Sequence, residues 1–276
     1  MMYQFDRDIR VTKQSGLTFQ TAVSPNWSVN GNPDGGYLMA LLANATLQSG
    51  EKKWPLIVTA NFAARCLPGP AEITLDLIGG SRSFDRWQAT LSQEGVVKIR
   101  AICTLSDEAD DNGEKRYEDA PPDLADPEQC LAMPNLPGYT MFEHLEVRLD
   151  PSCVGWMTGP GMSAISEQRG WLTFRDGRAF DALAVLLAAD AFPPAVLASQ
   201  GAVAWVPIIE LSVNLRNIPR TPRLKCVFRS RFLNRGVVEE DGQIWDEDNE
   251  LIAVSRQIAR FHDEPETAER LRKAAR

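Results

Sequence analysis

The segment Trp27-Ser-Val-Asn-Gly-Asn-Pro-Asp-Gly35-Gly36-Tyr37 leads into an apolar, helix-like run that extends to Ala45. A strand-rich stretch follows at residues 56–105. A second apolar helix is predicted at residues 180–191, again followed by strands at residues 205–261. One helix followed by several strands, repeated at a period of about 150 residues, is typical of two copies of one small α+β unit joined head to tail. Such duplicated units commonly place their functional site where the copies meet.

The composition argues against nucleic acid or a membrane as the main partner. The 276 residues have a formal net charge of −8, whereas nucleic acid and anionic membranes favour basic surfaces. No stretch approaches the ~20 apolar residues that span a bilayer, and the N-terminus lacks the apolar core of a signal peptide. The five cysteines are scattered without a Cys-x-x-Cys pair, which is typical of reduced thiols. We therefore expect a cytoplasmic protein.

An acidic, proline-rich segment at residues 107–137 separates the two predicted units. Such a composition buries little apolar surface, so the segment is expected to be a linker that runs over the outside. The prediction is an N-terminal unit at residues 1–106, a C-terminal unit at residues 138–263 and a charged, solvated helical tail at residues 264–276.

Turn signals and alternating apolar residues predict the strands of each unit. In the first unit they lie at residues 16–23, 56–62, 71–78, 83–93 and 96–105, and in the second at residues 142–149, 170–174, 208–215, 224–233, 237–246 and 251–261. The long strands that close the two units are expected to pair edge to edge, which would give one continuous sheet.

The two copies differ at their polar positions. Aligned by their patterns, Asn44 in the first helix corresponds to Asp190 in the second, and Cys103 in the last strand of the first copy corresponds to Gln257. We therefore expect that the copies no longer have the same role.

With these features the chain resembles the double hotdog proteins of the thioesterase superfamily and is similar to the type II acyl-CoA thioesterases. Three segments in the right order support the resemblance: Trp27 with Pro33-Asp-Gly35-Gly36-Tyr37, Ala188-Ala-Asp190-Ala-Phe-Pro-Pro, and Ile244-Trp-Asp-Glu-Asp-Asn-Glu-Leu-Ile-Ala-Val-Ser-Arg-Gln257. The resemblance implies an α+β double hotdog fold, in which each unit is a long helix wrapped by a curved antiparallel sheet.

The resemblance also implies a catalytic set. In the related thioesterases an Asp, a Thr or Ser and a Gln orient a hydrolytic water, and Asp190 and Gln257 match the Asp and the Gln. The hydroxyl position falls at Ile208, which has no hydroxyl. Ser212, four residues further along the predicted strand, is a candidate for a displaced substitute.

These residue types suit thioester hydrolysis. The Asp190 carboxylate can accept a proton from water as a general base, and the Gln257 amide can fix the line of attack. Backbone N–H groups of Gly35 and Gly36, at the start of a helix, would polarise the thioester carbonyl and form an oxyanion site. Trp27, beside this loop, would line an acyl pocket. No metal or redox cofactor is implied, because coenzyme A or an acyl carrier is part of the substrate.

Other interpretations remain open. Gln257 could satisfy a buried backbone group, and Gly35 and Gly36 could serve only close helix–sheet packing. The missing hydroxyl at Ile208 is compatible with a non-hydrolytic acyl-thioester- or lipid-binding protein, and a structural partner in a biosynthetic complex is a third possibility. The only histidines, His144 and His262, lie outside the predicted helices and the glycine loop, which disfavours a hotdog dehydratase. Association into a homo-oligomer is a further expectation.

Overall fold

The computed structural model describes residues 2–107, 115–159, 161–202 and 204–263. The predicted charged tail at residues 264–276 lies outside these ranges. None of the helices within them is long and apolar enough to cross a membrane.

Each half of the chain combines a buried helix with long strands. The first half contains α1 (Gln4–Asp8), β1 (Thr12–Ser15), β2 (Thr18–Val23), β3 (Ser28–Val29), β4 (Asn32–Pro33), α2 (Gly35–Ser49), β5 (Trp54–Phe62), β6 (Gly69–Gly80), β7 (Phe84–Gln93) and β8 (Val96–Ser106). The second half contains β9 (Leu131–Ala132), α3 (Met141–His144), β10 (Leu145–Leu149), α4 (Gly155–Thr158), β11 (Ser166–Phe174), α5 (Ala182–Ala188), α6 (Val196–Gln200), β12 (Ala204–Trp205), β13 (Ile208–Leu215), β14 (Leu224–Ser230), β15 (Leu233–Asn234), β16 (Val237–Asp246), β17 (Leu251–Arg260) and β18 (His262–Asp263). Short 3-10 turns lie at Pro127–Gln129 and Pro151–Cys153.

One antiparallel sheet runs through both halves, in the order β1-β2-β6-β7-β8-β5-β13-β17-β16-β14-β11-β10-β9. The prediction of a continuous sheet is confirmed, but the predicted junction is wrong. The halves join through β5 and β13, the strands that follow the two long helices, and not through the closing strands β8 and β17. The reason is that β8 already pairs with β5 and β7, and β17 with β13 and β16, so neither closing strand has a free edge.

Helix α2 lies almost entirely within the core, and its sequence allows close approach. Asp34 caps the helix, since its Oδ1 accepts the backbone N–H of Tyr37 at 2.9 Å. A Cβ atom at Gly36 would lie 2.3 Å from the carbonyl oxygen of Leu186 in α5. Only glycine therefore lets the two helices cross at this point.

Helix α5 is shorter than the predicted helix at residues 180–191. It begins at Ala182 because the Asp181 side chain accepts the N–H of Ala184, and it ends at Ala188, shortly before Pro193. Asp190 consequently lies in the turn that follows the helix.

The start of the second half also differs from the prediction. Residues 142–149 were expected as one strand, but Met141–His144 form a helical turn before β10. Backbone hydrogen bonds from Phe142 to Tyr139 and from Glu143 to Thr140 close this turn, which buries Met141 and Phe142. Part of the predicted linker joins the sheet as well, because β9 pairs with β10.

Candidate active site

A cavity of about 420 Å³ lies where the two halves meet. Its walls are mainly apolar and include Leu38 and Phe62 from the first half and Phe192, Trp205 and Ile208 from the second. Asp190 and Gln257 line the same cavity. The structure therefore places a few polar groups in a largely hydrophobic pocket, which is the usual character of a small-molecule site.

Asp190 binds the start of the helix that belongs to the other half. Its Oδ2 accepts the backbone N–H of Gly35 at 2.9 Å and that of Gly36 at 3.3 Å. These N–H groups have no partner within α2, and the helix dipole favours a negative charge beside them. The contact both orients the Asp190 carboxylate and stabilises its ionised form.

A second carboxyl, that of Asp34, shares a hydrogen bond with Asp190. Burial raises the pKa of Asp34 well above its usual range, and the charge of Asp190 raises it further. Burial also raises the pKa of Asp190, to about 6, against the lowering effect of the hydrogen bonds from Asp34, Gly35 and Gly36. Asp34 is therefore the protonated member of the pair, and Asp190 is the member that ionises near neutral pH.

Gln257 forms a polar pair with Glu240 across neighbouring strands β16 and β17. Gln257 Nε2 donates to Glu240 Oε1 at 2.7 Å, and Glu240 Oε2 accepts the backbone N–H of Ala195. The Gln257 carbonyl oxygen is buried and has no hydrogen-bond partner. Burial raises the pKa of Glu240 to about 8, and the nearby charge of Asp190 contributes to the rise.

The structure places only some of the predicted site residues at the cavity. Gly35, like Asp190 and Gln257, lines the cavity, whereas Gly36 lies behind it and contributes its N–H to Asp190. Both glycine N–H groups bind Asp190, so they are not free to form the predicted oxyanion site. Ile208, at the predicted hydroxyl position, lines the cavity with an apolar side chain.

Trp27 does not line the cavity. It is fully buried, packs edge to face on Phe5 at a centroid distance of 5.3 Å, and its Nε1 donates to Asp8 at 2.9 Å. The short helix α1 covers this side of the core. The predicted role of Trp27 in an acyl pocket is therefore wrong.

Ser212 does not face the cavity either. A β-bulge lies between Ile208 and Glu210, so the strand alternation shifts by one residue and Ser212 points to the opposite face. Its hydroxyl is 2.7 Å from the hydroxyl of Thr59 across the β5–β13 junction. The predicted displaced hydroxyl is thus a partner of the junction.

Sequence reasoning missed Asp34 and Glu240. Asp34 precedes two glycines at a helix start, which is the position of an N-cap. Glu240 lies on the same buried face of β16 as Val238 and Ile244, so it is a carboxyl at a core-facing position. Both signals are present in the sequence.

In the first half, the N-terminal segment packs at the position that corresponds to this site. Asn44, which corresponds to Asp190, donates to the carbonyl oxygen of Ile9 at 2.7 Å. Ile9 and Phe5 are buried and belong to the core. The N-terminal segment therefore occupies the surroundings of Asn44.

Comparison with known proteins identifies the family. The sequence profile of the acyl-CoA thioesterase N-terminal domain matches residues 23–106, and that of the acyl-CoA thioesterase C-terminal domain matches residues 127–261. No curated protein sequence matches the chain significantly.

Solved structures share the fold over nearly the whole chain. A thioesterase II candidate from Thermobifida fusca YX is 26% identical, with a TM-score of 0.87 over 95% of this chain and 98% of that one. A hot dog fold protein from Alicyclobacillus acidocaldarius is 20% identical, with a TM-score of 0.85 over 96% and 100% of the two chains. An acyl-CoA thioesterase II from Mycobacterium marinum is 15% identical, with a TM-score of 0.74 over 94% and 98%. The two matched domains and the α+β double hotdog architecture agree, and the chain belongs to the acyl-CoA thioesterase family of thioester hydrolases.

Proposed function

We propose that this protein hydrolyses acyl-CoA thioesters with a water molecule held between Asp190 and Gln257. The observation that carries the proposal is that an anchored carboxylate and an unpaired amide oxygen line one apolar cavity. A buried acceptor without a partner is costly, and a water or a substrate group that donates to it relieves that cost.

The proposed reaction begins with the water. Its oxygen attacks the thioester carbonyl carbon while Asp190 accepts one of its protons, and Gln257 Oε1 accepts a hydrogen bond from the other. The tetrahedral intermediate then expels the thiolate, and the proton on Asp190 passes to the sulfur. The products are the free acid and the coenzyme A thiol. A base with a pKa of about 6 is largely ionised at neutral pH, so Asp190 suits this role.

The apolar part of the cavity suits the acyl group. Phe142, Trp156 and Phe192 contribute aromatic surface, and burial of each methylene group of a ligand stabilises the complex by about 0.8 kcal/mol. We therefore propose a hydrophobic acyl chain as the part of the substrate that binds here.

The opening of the cavity suits the carrier. Arg65 lines the cavity and is exposed, which places a fixed positive charge where a phosphate of coenzyme A, or of the pantetheine arm of a carrier protein, would enter.

A non-hydrolytic acyl-thioester- or lipid-binding protein is the second candidate. The observation in its favour is Ile208, which contributes an alkyl group to the cavity at the position where the family resemblance implies a hydroxyl.

The test is release of free thiol from a panel of acyl-CoA chain lengths by wild type and by Asp190→Asn. We expect turnover by wild type and a loss of about a hundredfold to ten-thousandfold in the variant, the usual contribution of general base catalysis. Asp76→Asn, an exposed carboxyl on β6, is the matched control and is expected to leave turnover unchanged. Saturable binding without thiol release from any substrate would favour the second candidate.

A further inference from the structure

We propose that Glu240 is a positioning residue that fixes the orientation of the Gln257 amide and so determines which of its two polar atoms can bind a reactant. The inference rests on the proposed function, because it assigns the residue through which the Gln257 side chain acquires its role.

The contacts of Glu240 are directed to specific donors. It lies on β16 directly opposite Gln257 on β17, and both side chains are buried. One oxygen accepts from Gln257 Nε2 at 2.7 Å, and the other accepts from the backbone N–H of Ala195. Since a backbone N–H can only donate, Glu240 must present an acceptor to Ala195.

The orientation of the Gln257 amide follows from these contacts. When Glu240 is ionised, both of its oxygens are acceptors, so it binds the nitrogen of the amide and not its carbonyl oxygen. With Nε2 engaged, Oε1 is the atom of the amide that is left without a partner. Without a carboxylate opposite it, the Gln257 amide could flip and present its Nε2 donor to the cavity instead.

The contact with Ala195 adds a second constraint. Ala195 directly follows the cavity-lining segment that begins at Asp190 and includes Phe192 and Pro194. Glu240 therefore connects the loop that carries Asp190 to the strand pair that carries Gln257. One carboxylate holds the two halves of the proposed water site in a fixed relation.

The first unit offers an internal comparison. Cys103 corresponds to Gln257, and its cross-strand partner is Trp87. In the unit without the site, both positions of the pair are thus apolar or weakly polar, whereas in the unit with the site both are polar. A buried carboxylate kept opposite a buried amide is costly for folding alone, and this cost is explained if the pair serves the reaction.

The experiment is a double-mutant cycle with Glu240→Gln, Gln257→Leu and the double variant, in the full-length protein with an acyl-CoA substrate. In Glu240→Gln, the new amide must accept from Ala195 with its oxygen and donate to Gln257 with its nitrogen. The Gln257 amide then has to flip, so that its oxygen accepts this donor and its nitrogen points into the cavity. We expect kcat to fall about tenfold to a hundredfold with KM nearly unchanged. In the Gln257→Leu background, the same change is expected to cause no further loss of kcat.

Glu239→Gln is the matched control, since Glu239 lies next to Glu240 on β16 but points to the other face of the strand. It is expected to leave kcat and KM unchanged. If Glu240→Gln does not fold, the exchange variant Glu240→Gln with Gln257→Glu restores one donor opposite one acceptor. That variant is expected to fold and to turn over faster than Gln257→Leu.

The outcomes separate the two proposals. Losses of kcat that add in the double variant, or an unchanged kcat in Glu240→Gln, would overturn the role of Glu240 alone. An exchange variant no faster than Gln257→Leu would have the same meaning. An unchanged kcat in Gln257→Leu would instead overturn the proposed water site, and the role of Glu240 with it.

Discussion

Asp190 follows the helix of the second unit, yet its Oδ2 is 2.9 Å from the backbone nitrogen of Gly35 at the start of the helix of the first unit. The catalytic base that we propose is therefore held by a helix N-terminus from the other half of the chain. Several measurable properties depend on this contact and on the groups around it.

Gly35→Ala should displace Asp190. An added Cβ would lie 2.9 Å from Asp190 Oδ2 and 3.0 Å from the Ile208 Cδ1 atom, and such contacts require the carboxylate to move. We expect kcat to fall at least tenfold with a loss of stability of about 1–3 kcal/mol, typical of overpacking. Steady-state kinetics and chemical denaturation measure the two effects. Gly79→Ala, where no atom lies within 4 Å of the added Cβ, should change neither, and equal kinetic losses in both variants would contradict the prediction.

The Asp34–Asp190 pair should control the acid limb of the pH profile. Because Asp190 must be ionised to act as a base, kcat/KM is expected to fall as the pH drops below about 6, in a second step beneath the one that Glu240 gives near pH 8. The hydrogen bond from Asp34 lowers the pKa of Asp190, so its removal in Asp34→Ala should move this limb to higher pH. Asp34→Asn still offers a donor to Asp190 and an acceptor to the N–H of Tyr37. Its limb should stay close to that of wild type, and a larger shift in Asp34→Asn than in Asp34→Ala would contradict the assignment.

Ionisation of Glu240 should raise the activity and lower the stability of the folded protein. The Gln257 amide and the Ala195 N–H bind Glu240, the charge of Asp190 acts on it from the same cavity, and Glu239 contributes only its charge from the other face of the strand. Its folded-state pKa of about 8 lies above the ordinary value of 4.5, so the folded protein binds this proton more tightly than the unfolded chain. The free energy of unfolding should therefore fall as the pH rises from 4.5 to about 8, while kcat rises as the carboxylate forms.

Denaturant titrations and kinetics across this pH range measure both trends. Glu240→Gln, which does not titrate, should lack the decline in stability and the rise in kcat. If the free energy of unfolding changes by the same amount in wild type and in Glu240→Gln between pH 4.5 and about 8, the predicted contribution of Glu240 is wrong.

Arg65 should contribute to binding of the carrier and not to chemistry. Arg65→Ala is expected to raise KM for acyl-CoA severalfold with kcat nearly unchanged, and the difference should shrink at high salt because exposed charges are screened. Arg82→Ala is the control, since Arg82 is exposed but does not line the cavity. A fall in kcat without a change in KM would assign Arg65 a different role.

Ile208→Thr should increase turnover if the position retains the use that the family resemblance implies. The new hydroxyl would lie in the cavity with Asp190 and Gln257 and could bind the same water. We expect a rise in kcat for short acyl chains, measured by thiol release. Ile209→Thr, at an exposed neighbouring position, provides the comparison. A lower kcat in Ile208→Thr would show that the alkyl group is required as a wall of the acyl pocket.

Much of the fold could be predicted because its signals are local. Alternating apolar residues and flanking turns predicted β13 and β16 with the bounds that the structure has. The pairing partner of β5 was not predictable in this way, since it depends on which strand edges remain free after each half has formed.

The site was predicted less completely, for physical reasons that differ from residue to residue. Asp190 and Gln257 were assigned through the family resemblance. The side of the strand on which Ser212 lies was predicted wrongly because a single bulge inverts the strand alternation. No residue type in the strand signals this bulge. Trp27 was misplaced because the packing of α1 against it involves residues nearly twenty positions away.

The segment around Ile9 that packs against Asn44 has a consequence for the evolution of this architecture. In a symmetric dimer of identical subunits, every substitution appears twice, so neither copy can lose its reactive groups while the other keeps them. Two units within one chain are free of that restriction because their sequences can differ. In the fused chain the first unit can therefore carry hydrophobic contacts around Asn44, while the second keeps its polar groups around Asp190.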